Sequence, residues 1–289
     1  MLVNLREILR VAEEKNAAVG SFNVCNVESL QAVLAAAEAA STPVIISFGE
    51  SYDKHMPLEA MAELVKYYAA HTDLPLVLHL DHCKHDKNIW RALRAGFTSV
   101  MFDGSALPLE ENIAASHTVS QVAHDLNVSL EGELGYMNPE DGSAGSPGGP
   151  ETYTTVDAAR RYAAESGADA LAIAIGNAHG LYKGEPHLDL DRLSKIHRAV
   201  RIPLVLHGSS GIPLELLQQA IKRGIRKINI NTEASTTGIR AAREFLAAHT
   251  DPNTRFENMT KDAEQKMSEV VSKYIACFSG AQQGGRFTC

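Results

Sequence analysis

The chain has 289 residues with a formal net charge of −8, and 45% of the residues are hydrophobic. This length and apolar content suffice for one large domain or two small ones with a sizeable core, whereas the acidic balance argues against nucleic acid as the main partner. No apolar stretch approaches the roughly 18 residues that a membrane-spanning helix needs, so we expect no membrane partner.

The first predicted element is an amphipathic helix over residues 5–15, in which Arg6, Glu7 and Glu13 are interspersed with apolar residues. This charged, periodic pattern is not that of a secretory signal, so we expect none. The chain has four cysteines, none of them in CxxC spacing. Free thiols are the usual interpretation of such a pattern, and they predict a cytoplasmic protein.

Short apolar runs alternate with helical patterns along the rest of the chain. The predicted strands cover residues 18–24, 43–48, 75–81, 98–103, 128–134, 170–176, 203–207 and 226–231. The predicted helices cover residues 27–40, 57–71, 87–95, 109–126, 156–166, 188–200, 213–223 and, at the C-terminal end, 260–278. Eight successive strand–helix units predict an α/β fold, a (β/α)8 TIM barrel with extra N- and C-terminal helices. A doubly wound open sheet is the alternative, although no GxGxxG follows the first strand.

One segment, residues 137–152, interrupts this alternation after the fifth strand and is rich in Gly, Pro and Ser. Long loops in compact domains are commonly functional, so we expect a mobile active-site loop, with a solvated surface insert as the alternative. We expect residues 279–289 to form a flexible tail. The whole chain, residues 1–289, is predicted to form a single domain.

Three histidines stand at the carboxyl ends of predicted strands. His82 follows strand three, His179 lies just past strand six, and His207 ends strand seven. A barrel gathers these strand ends at one rim, and three imidazoles with an open position are typical of catalytic zinc. The sequence therefore predicts a Zn²⁺ site; hydrogen-bonding strand caps are the alternative. Other polar residues expected at or near this rim are Asp81, Asp103, Glu131, Glu133, Asn229 and Asn231.

Two glycine clusters on the same side of the predicted barrel indicate an anion site. Gly180 follows one proposed metal ligand, and the Gly208–Gly211 segment, with its two serines, follows another. Unhindered backbone N–H groups and hydroxyls can surround an anion, and a helix N-terminus after Thr232 can add donors. Because barrels often bind phosphate near strands seven and eight, the two clusters together favour phosphate over plain tight turns.

Five motifs, in chain order, resemble the class II (zinc-dependent) ketose-bisphosphate aldolases. They are LHLDHC at 78–83, EGELG at 131–135, GNAHGLYKGEP at 176–186, LVLHGSSGIP at 204–213 and KININTE at 227–233. The resemblance runs over nearly the whole chain, so it is more specific than any single motif. It implies zinc on His82, His179 and His207, with Glu133 as a carboxylate that can approach the metal.

The resemblance also implies roles for other residues. Asp81 is implied as the acid/base at the hydroxyl of the carbon being cleaved, Asn229 as a hydrogen-bonding partner of the developing oxyanion, and Glu140 as a loop acid that moves the C3 proton. The implied substrate-binding residues are Asn23, Gly180, Gly208, Ser210, Asn229, Asn231 and Thr232. A monovalent cation, Na⁺ or K⁺, is implied near the phosphate, held largely by backbone oxygens around Gly180 and Gly208. A homodimer or homotetramer is expected.

The chain departs from the family pattern in three places. The family loop usually has Gly-Gly before its acidic pair, but residues 137–139 read Met-Asn-Pro, which bears on the role of Glu140. Gly49 stands where a serine is common, with Ser51 as a possible replacement. The family motif that lends an arginine to a neighbouring subunit's site appears only as DPNTR, with Arg255 as the candidate.

The implied reaction is the reversible cleavage of a ketose 1,6-bisphosphate to dihydroxyacetone phosphate and glyceraldehyde 3-phosphate. Tagatose-specific members tend to have Thr in place of Asn177 and Ala in place of Asn231, so fructose 1,6-bisphosphate is favoured. Tagatose 1,6-bisphosphate and a phosphorylated deoxy sugar acid stay open as substrates.

Two functions of other classes, and one other aldolase mechanism, also stay open. A zinc hydrolase could use Glu133 as its base, although it gives the glycine clusters no evident purpose. A non-catalytic sugar-phosphate sensor would not need Asp81 and all three histidines. A Schiff-base aldolase would need a lysine inside the barrel, and Lys227 is the candidate because it shares a strand face with Asn229.

Overall fold

Eight parallel strands pair in chain order and close on themselves in a computed structural model, which describes residues 1–135, 149 and 152–280. The strands are β1 Val19–Asn23, β2 Val44–Gly49, β3 Leu76–Cys83, β4 Ser99–Phe102, β5 Ser129–Leu134, β6 Ala170–Ile173, β7 Leu204–Leu206 and β8 Ile225–Ile230. β1 pairs with both β2 and β8, so the sheet has no free edge. The predicted TIM barrel is confirmed.

Helices surround the barrel. They are α1 Leu5–Glu14, α2 Val27–Ala40, α3 Leu58–Ala69, α4 Asp86–Ala95, α5 Leu109–Asp125, α6 Val156–Glu165, α7 Leu190–Ala199, α8 Leu214–Ile221, α9 Thr232–Ala248 and α10 Phe256–Phe278, with a short 3₁₀ helix at Glu50–Lys54. Both expected terminal helices are present, as α1 and α10. No helix within the described part of the chain is long and apolar enough to cross a membrane.

The sixth strand is shorter than the predicted 170–176. It ends at Ile173 because the next two carbonyl groups bond outside the barrel ladder: Thr154 N donates to Ala174 O at 2.9 Å, and Asp189 N donates to Ile175 O at 2.8 Å. Gly176 then turns the chain with a φ of +107°, a conformation that glycine adopts at little cost. These turns lead the chain to His179 at the rim.

Helix α1 closes the amino-terminal end of the barrel. Asn4 caps it by accepting from Glu7 N at 3.1 Å, and the Glu7 carboxylate accepts from Asn4 N at 2.8 Å. Its buried residues Leu5, Ile8, Leu9 and Ala12 repeat at helical spacing. They form one apolar cluster with inward-facing strand residues such as Val77, so α1 plugs this end.

The barrel interior changes from apolar to polar toward the opposite end. Along β3, Val77 packs against α1, whereas His79 and Asp81, two and four residues further, are fully buried polar groups. The intervening Leu78 and Leu80 belong to the core beneath the helices, as strand alternation requires. The carboxyl rim of the barrel is therefore lined by charged and polar side chains.

Candidate active site at the carboxyl rim of the barrel

Three histidine rings meet at the rim, as the sequence predicts. His82 lies near the end of β3, His179 in the loop after β6, and His207 directly after β7. The His207 Nδ1 and His82 Nε2 atoms are 2.8 Å apart, and one ring nitrogen from each histidine lies within 4.8 Å of the others. Three imidazoles at this spacing form a donor set that suits zinc.

The buried ion pair of Glu131 and Lys227 fixes the orientation of the His207 ring. Lys227 Nζ lies 3.0 Å and 2.8 Å from the two Glu131 oxygens, and Glu131 Oε1 is 2.7 Å from His207 Nε2. Because an ionised carboxylate only accepts hydrogen bonds, the Nε2 atom carries the proton and the Nδ1 lone pair faces His82.

The charge states in this pair suit metal binding. Burial lowers the pKa of His207 to about 4, so its ring is neutral near pH 7. Burial alone would raise the pKa of Glu131, but Lys227 and His207 outweigh it and hold that pKa at about 2. His207 is thus a neutral imidazole beside a carboxylate that stays ionised.

Asp81 is completely buried and is held by two amides. Asn23 Nδ2 donates to Asp81 Oδ2 at 2.9 Å, and Asn229 Nδ2 donates to Asp81 Oδ1 at 3.2 Å. Burial opposes ionisation, yet the nearby rings of His82 and His79 hold the pKa of Asp81 well below its usual range. Asp81 is therefore a carboxylate that can accept a proton in a site with little water.

Glu133 is the neighbouring buried carboxyl group, and its environment fits a nearby cation. Its Oε2 atom has no hydrogen-bond partner among the described residues and lies 3.6 Å from His82 Nδ1. Burial, together with the negative charge of Asp103, raises the pKa of Glu133 well above its usual value. A positive ion at the histidines would give the Glu133 oxygen a partner and would favour its ionised form. The residues present therefore fit a metal.

The predicted phosphate residues share one pocket with the three histidines. The pocket is lined by Asn23, His82, His179, Gly180, His207, Gly208, Ser209, Ser210, Asn229, Asn231 and Thr232. Gly208 has a φ of +60°, and a Cβ atom there would lie 2.3 Å from Ala178 O, so only glycine fits. Thr232 is the first residue of α9, whose N-terminus faces the same region.

Two tyrosines outside the predicted site form hydrogen bonds to residues that line this pocket. Tyr182 OH donates to Gly208 O at 2.8 Å and accepts from Ala178 N at 2.9 Å. Tyr52 OH accepts from Asn231 Nδ2 at 2.9 Å. Tyr182 lies within the GNAHGLYKGEP motif, but no local pattern marks Tyr52, which meets Asn231 from 179 residues away.

Several candidate residues lie elsewhere. Asn177 bonds backbone groups, since its Oδ1 accepts from Ile175 N at 2.8 Å and its Nδ2 donates to His207 O at 3.1 Å. Ser51 is absent from the pocket lining, and Arg255 is exposed at the start of α10. Glu140, most of the predicted 137–152 loop and residues 281–289 of the predicted tail lie outside the described residues.

The chain is similar to known proteins in both sequence and structure. A family model described as "Fructose-bisphosphate aldolase class-II" matches residues 3–283. The YdjI aldolase structure from Escherichia coli K12 is 33% identical, with a TM-score of 0.86, over 99% of this chain and 100% of that one.

Two further structures share the fold at lower identity. A putative fructose-1,6-biphosphate aldolase from Coccidioides immitis is 24% identical over 97% of each chain, with a TM-score of 0.85. The fructose-bisphosphate aldolase (Fba) of Campylobacter jejuni is 23% identical over 96% of this chain and 95% of that one, with a TM-score of 0.82.

Proposed function

The chain belongs to the class-II fructose-bisphosphate aldolase family, and from this premise we propose that it is a zinc-dependent aldolase acting on fructose 1,6-bisphosphate. The products of the proposed cleavage are dihydroxyacetone phosphate and glyceraldehyde 3-phosphate, and the reaction is reversible. The observation that carries the proposal is that three histidines line one pocket together with Asn23 and Asn229, the two amides that hold the buried carboxylate Asp81.

The proposed metal ligands are His82, His179 and His207, with Glu133 close enough to His82 to approach the ion. When bound, zinc would supply Lewis-acid polarisation of the ketose oxygens, which makes breaking the carbon–carbon bond beside a carbonyl feasible. The chain's own contribution here is to hold the rings in place, through Glu131 for His207 and through Asp103, 3.4 Å from His82 Nδ1.

Asp81 is the proposed acid/base for the aldehyde half of the substrate. In cleavage it takes the proton of the C4 hydroxyl, and in condensation it returns that proton. Asn23 and Asn229 orient it, and the Oδ1 atoms of both amides are buried with no hydrogen-bond partner among the described residues. These two oxygens can accept hydrogen bonds from substrate hydroxyls, and a second Asn229 N–H can reach the developing oxyanion.

The dihydroxyacetone phosphate half is proposed to lie against the glycine-lined side of the pocket. Backbone N–H groups near Gly180 and Gly208, the Ser210 hydroxyl and the N-terminus of α9 at Thr232 supply donors for a phosphate. Carbonyl oxygens around Gly180 and Gly208 would hold the proposed monovalent cation, Na⁺ or K⁺. Glu140 stays the proposed group for moving the C3 proton.

Further proposals follow from family membership. We propose that the protein works as a homodimer or homotetramer in the cytoplasm. Asn177 and Asn231 support the choice of fructose over tagatose only indirectly, since each forms hydrogen bonds within the protein.

Assaying the purified protein against both bisphosphates, with and without a chelator, tests the proposed function. We expect kcat/KM to be higher for fructose 1,6-bisphosphate, loss of cleavage with chelator, and recovery with zinc. A higher kcat/KM for tagatose 1,6-bisphosphate would overturn the substrate assignment but not the assignment of aldolase activity. Phosphate release without carbon–carbon cleavage would instead identify a hydrolase.

A further inference from the structure

Glu50 lies beside the β3–α4 turn, which directly follows the end of β3 that carries the proposed metal ligand His82. It follows the last residue of β2, Gly49, which is paired with Asp81 of β3. One step beyond this pair, Glu50 begins the 3₁₀ helix and faces the connection between β3 and α4. Its side chain is only 13% exposed, so its carboxylate is directed at the protein rather than at solvent.

The Glu50 carboxylate lies within hydrogen-bonding distance of four donors, which come from the end of β3, the β3–α4 connection and the first turn of α4. The Cys83 thiol and Asn88 Nδ2 donate to its Oε1 atom at 3.2 Å and 2.8 Å, respectively. Lys84 N donates to its Oε2 atom at 3.1 Å, and His85 Nδ1 lies 3.0 Å from both oxygens. Hydrogen bonds to an ionised carboxylate are stronger than neutral ones, so this cluster ties the turn to the end of β2.

The end of β3 just before this turn departs from regular strand geometry. His82 has a φ of +48°, in the left-handed region that residues with a Cβ atom disfavour. The β3–β4 register passes from Leu80 directly to Cys83, so Asp81 and His82 together span the position of Met101. The strand ladder alone therefore does not define the direction of the His82 side chain.

We propose that Glu50 is a positioning residue that holds the β3–α4 turn and thereby orients His82 for metal binding. Glu50 acts through residues 83–88, and none of the residues that donate to its carboxylate in this cluster lines the substrate pocket. Burial opposes ionisation, but hydrogen bonds from Asn88 and Lys84 keep the pKa of Glu50 below its usual value. The inference rests on the proposed metal site at the three histidines.

The test compares Glu50→Gln with Asp53→Asn. Glutamine keeps the shape of the side chain but replaces one acceptor oxygen with a donor, so it cannot satisfy all four donors. Asp53 lies in the same 3₁₀ helix but binds Arg91, at 2.6 Å and 3.0 Å, and reaches the Glu50 cluster indirectly, since Arg91 also donates to Asn88 Oδ1 at 3.0 Å. Asp53→Asn is therefore a matched control for general loosening of that helix.

Two readouts separate positioning from stability. The zinc dissociation constant of the apoprotein, measured by chelator competition, should rise about 10–100-fold in Glu50→Gln, which is the usual range for losing a residue that orients a ligand. It should stay within about twofold in Asp53→Asn even if that variant has a lower Tm. The visible spectrum of the cobalt-substituted protein should change only in Glu50→Gln.

Three results would contradict the inference. If the unchanged protein binds no zinc, both the proposed function and the role of Glu50 fail. If it binds zinc and Glu50→Gln has the same affinity and cobalt spectrum, only the role of Glu50 fails. Equal weakening in Asp53→Asn would show that zinc affinity follows the stability of the 3₁₀ helix instead of the turn contacts.

Discussion

At the scale of single residues, Asp81 combines full burial with ionisation. Its two amide partners, Asn23 and Asn229, supply hydrogen bonds that replace those of water, and nearby imidazoles lower its pKa. The sequence predicts that Asp81 lies at the rim of the barrel, because this residue ends a predicted buried strand. The amide partners come from 58 and 148 residues away, so no local pattern shows them.

We predict that Asp81→Asn lowers kcat for bisphosphate cleavage by about 10²–10⁴-fold, the usual loss for a removed acid/base group. Exchange of the C3 proton of dihydroxyacetone phosphate in deuterated water, followed by NMR, should largely persist because that step does not involve the C4 hydroxyl. Asp53→Asn is the control and should cleave normally. Near-normal cleavage by Asp81→Asn would show that Asp81 is not the acid/base of the reaction.

Lys227 provides a second residue-scale prediction. It is fully buried and forms an ion pair with Glu131, so its amine is a charged hydrogen-bond donor and not a free nucleophile. Borohydride added together with substrate should leave the enzyme active, and mass spectrometry should find no adduct on Lys227. An inactivating adduct there would mean Schiff-base chemistry and would contradict the zinc mechanism.

At the scale of elements, hydrophobic periodicity predicts which segments are strands and helices but not where contacts between distant segments end them. β6 stops at Ile173 because backbone groups of Thr154 and Asp189 take the next two carbonyls. α10 begins at Phe256, before the predicted residue 260. The left-handed backbone at His82 and its Glu50 anchor are likewise set by contacts that no local pattern encodes.

The plugging role of α1 leads to a stability prediction. Leu9 is fully buried within the barrel-end cluster, so Leu9→Ala should lower the free energy of unfolding by about 2–5 kcal/mol. Arg10, whose side chain is 72% exposed, is the adjacent control, and Arg10→Ala should change it by no more than about 0.5 kcal/mol. Denaturant titration measures both. Equal effects would show that α1 does not pack as described.

At the scale of the whole molecule, the barrel has one apolar end and one polar end. α1 and inward-facing residues such as Val77 fill the amino-terminal end, while Glu131, Lys227 and Asp81 occupy the interior toward the rim. The rim histidines could be predicted from sequence because a barrel brings all its strand ends together. The pairing of side chains inside the barrel, such as Lys227 with Glu131, could not be predicted. Strand alternation tells which face of the sheet a side chain lies on, but not which side chain it meets there.

The central claim is that His82, His179 and His207 together hold a metal. Zinc per chain, measured by elemental mass spectrometry on purified protein, tests it most directly. Each of His82→Ala, His179→Ala and His207→Ala should lose most of the zinc, because a catalytic zinc site uses three protein ligands and each variant keeps only two of the proposed three. His79→Ala should keep it, since His79 bonds Ser99 Oγ at 2.8 Å and is not in the ligand group. Full zinc occupancy in His207→Ala would contradict the account.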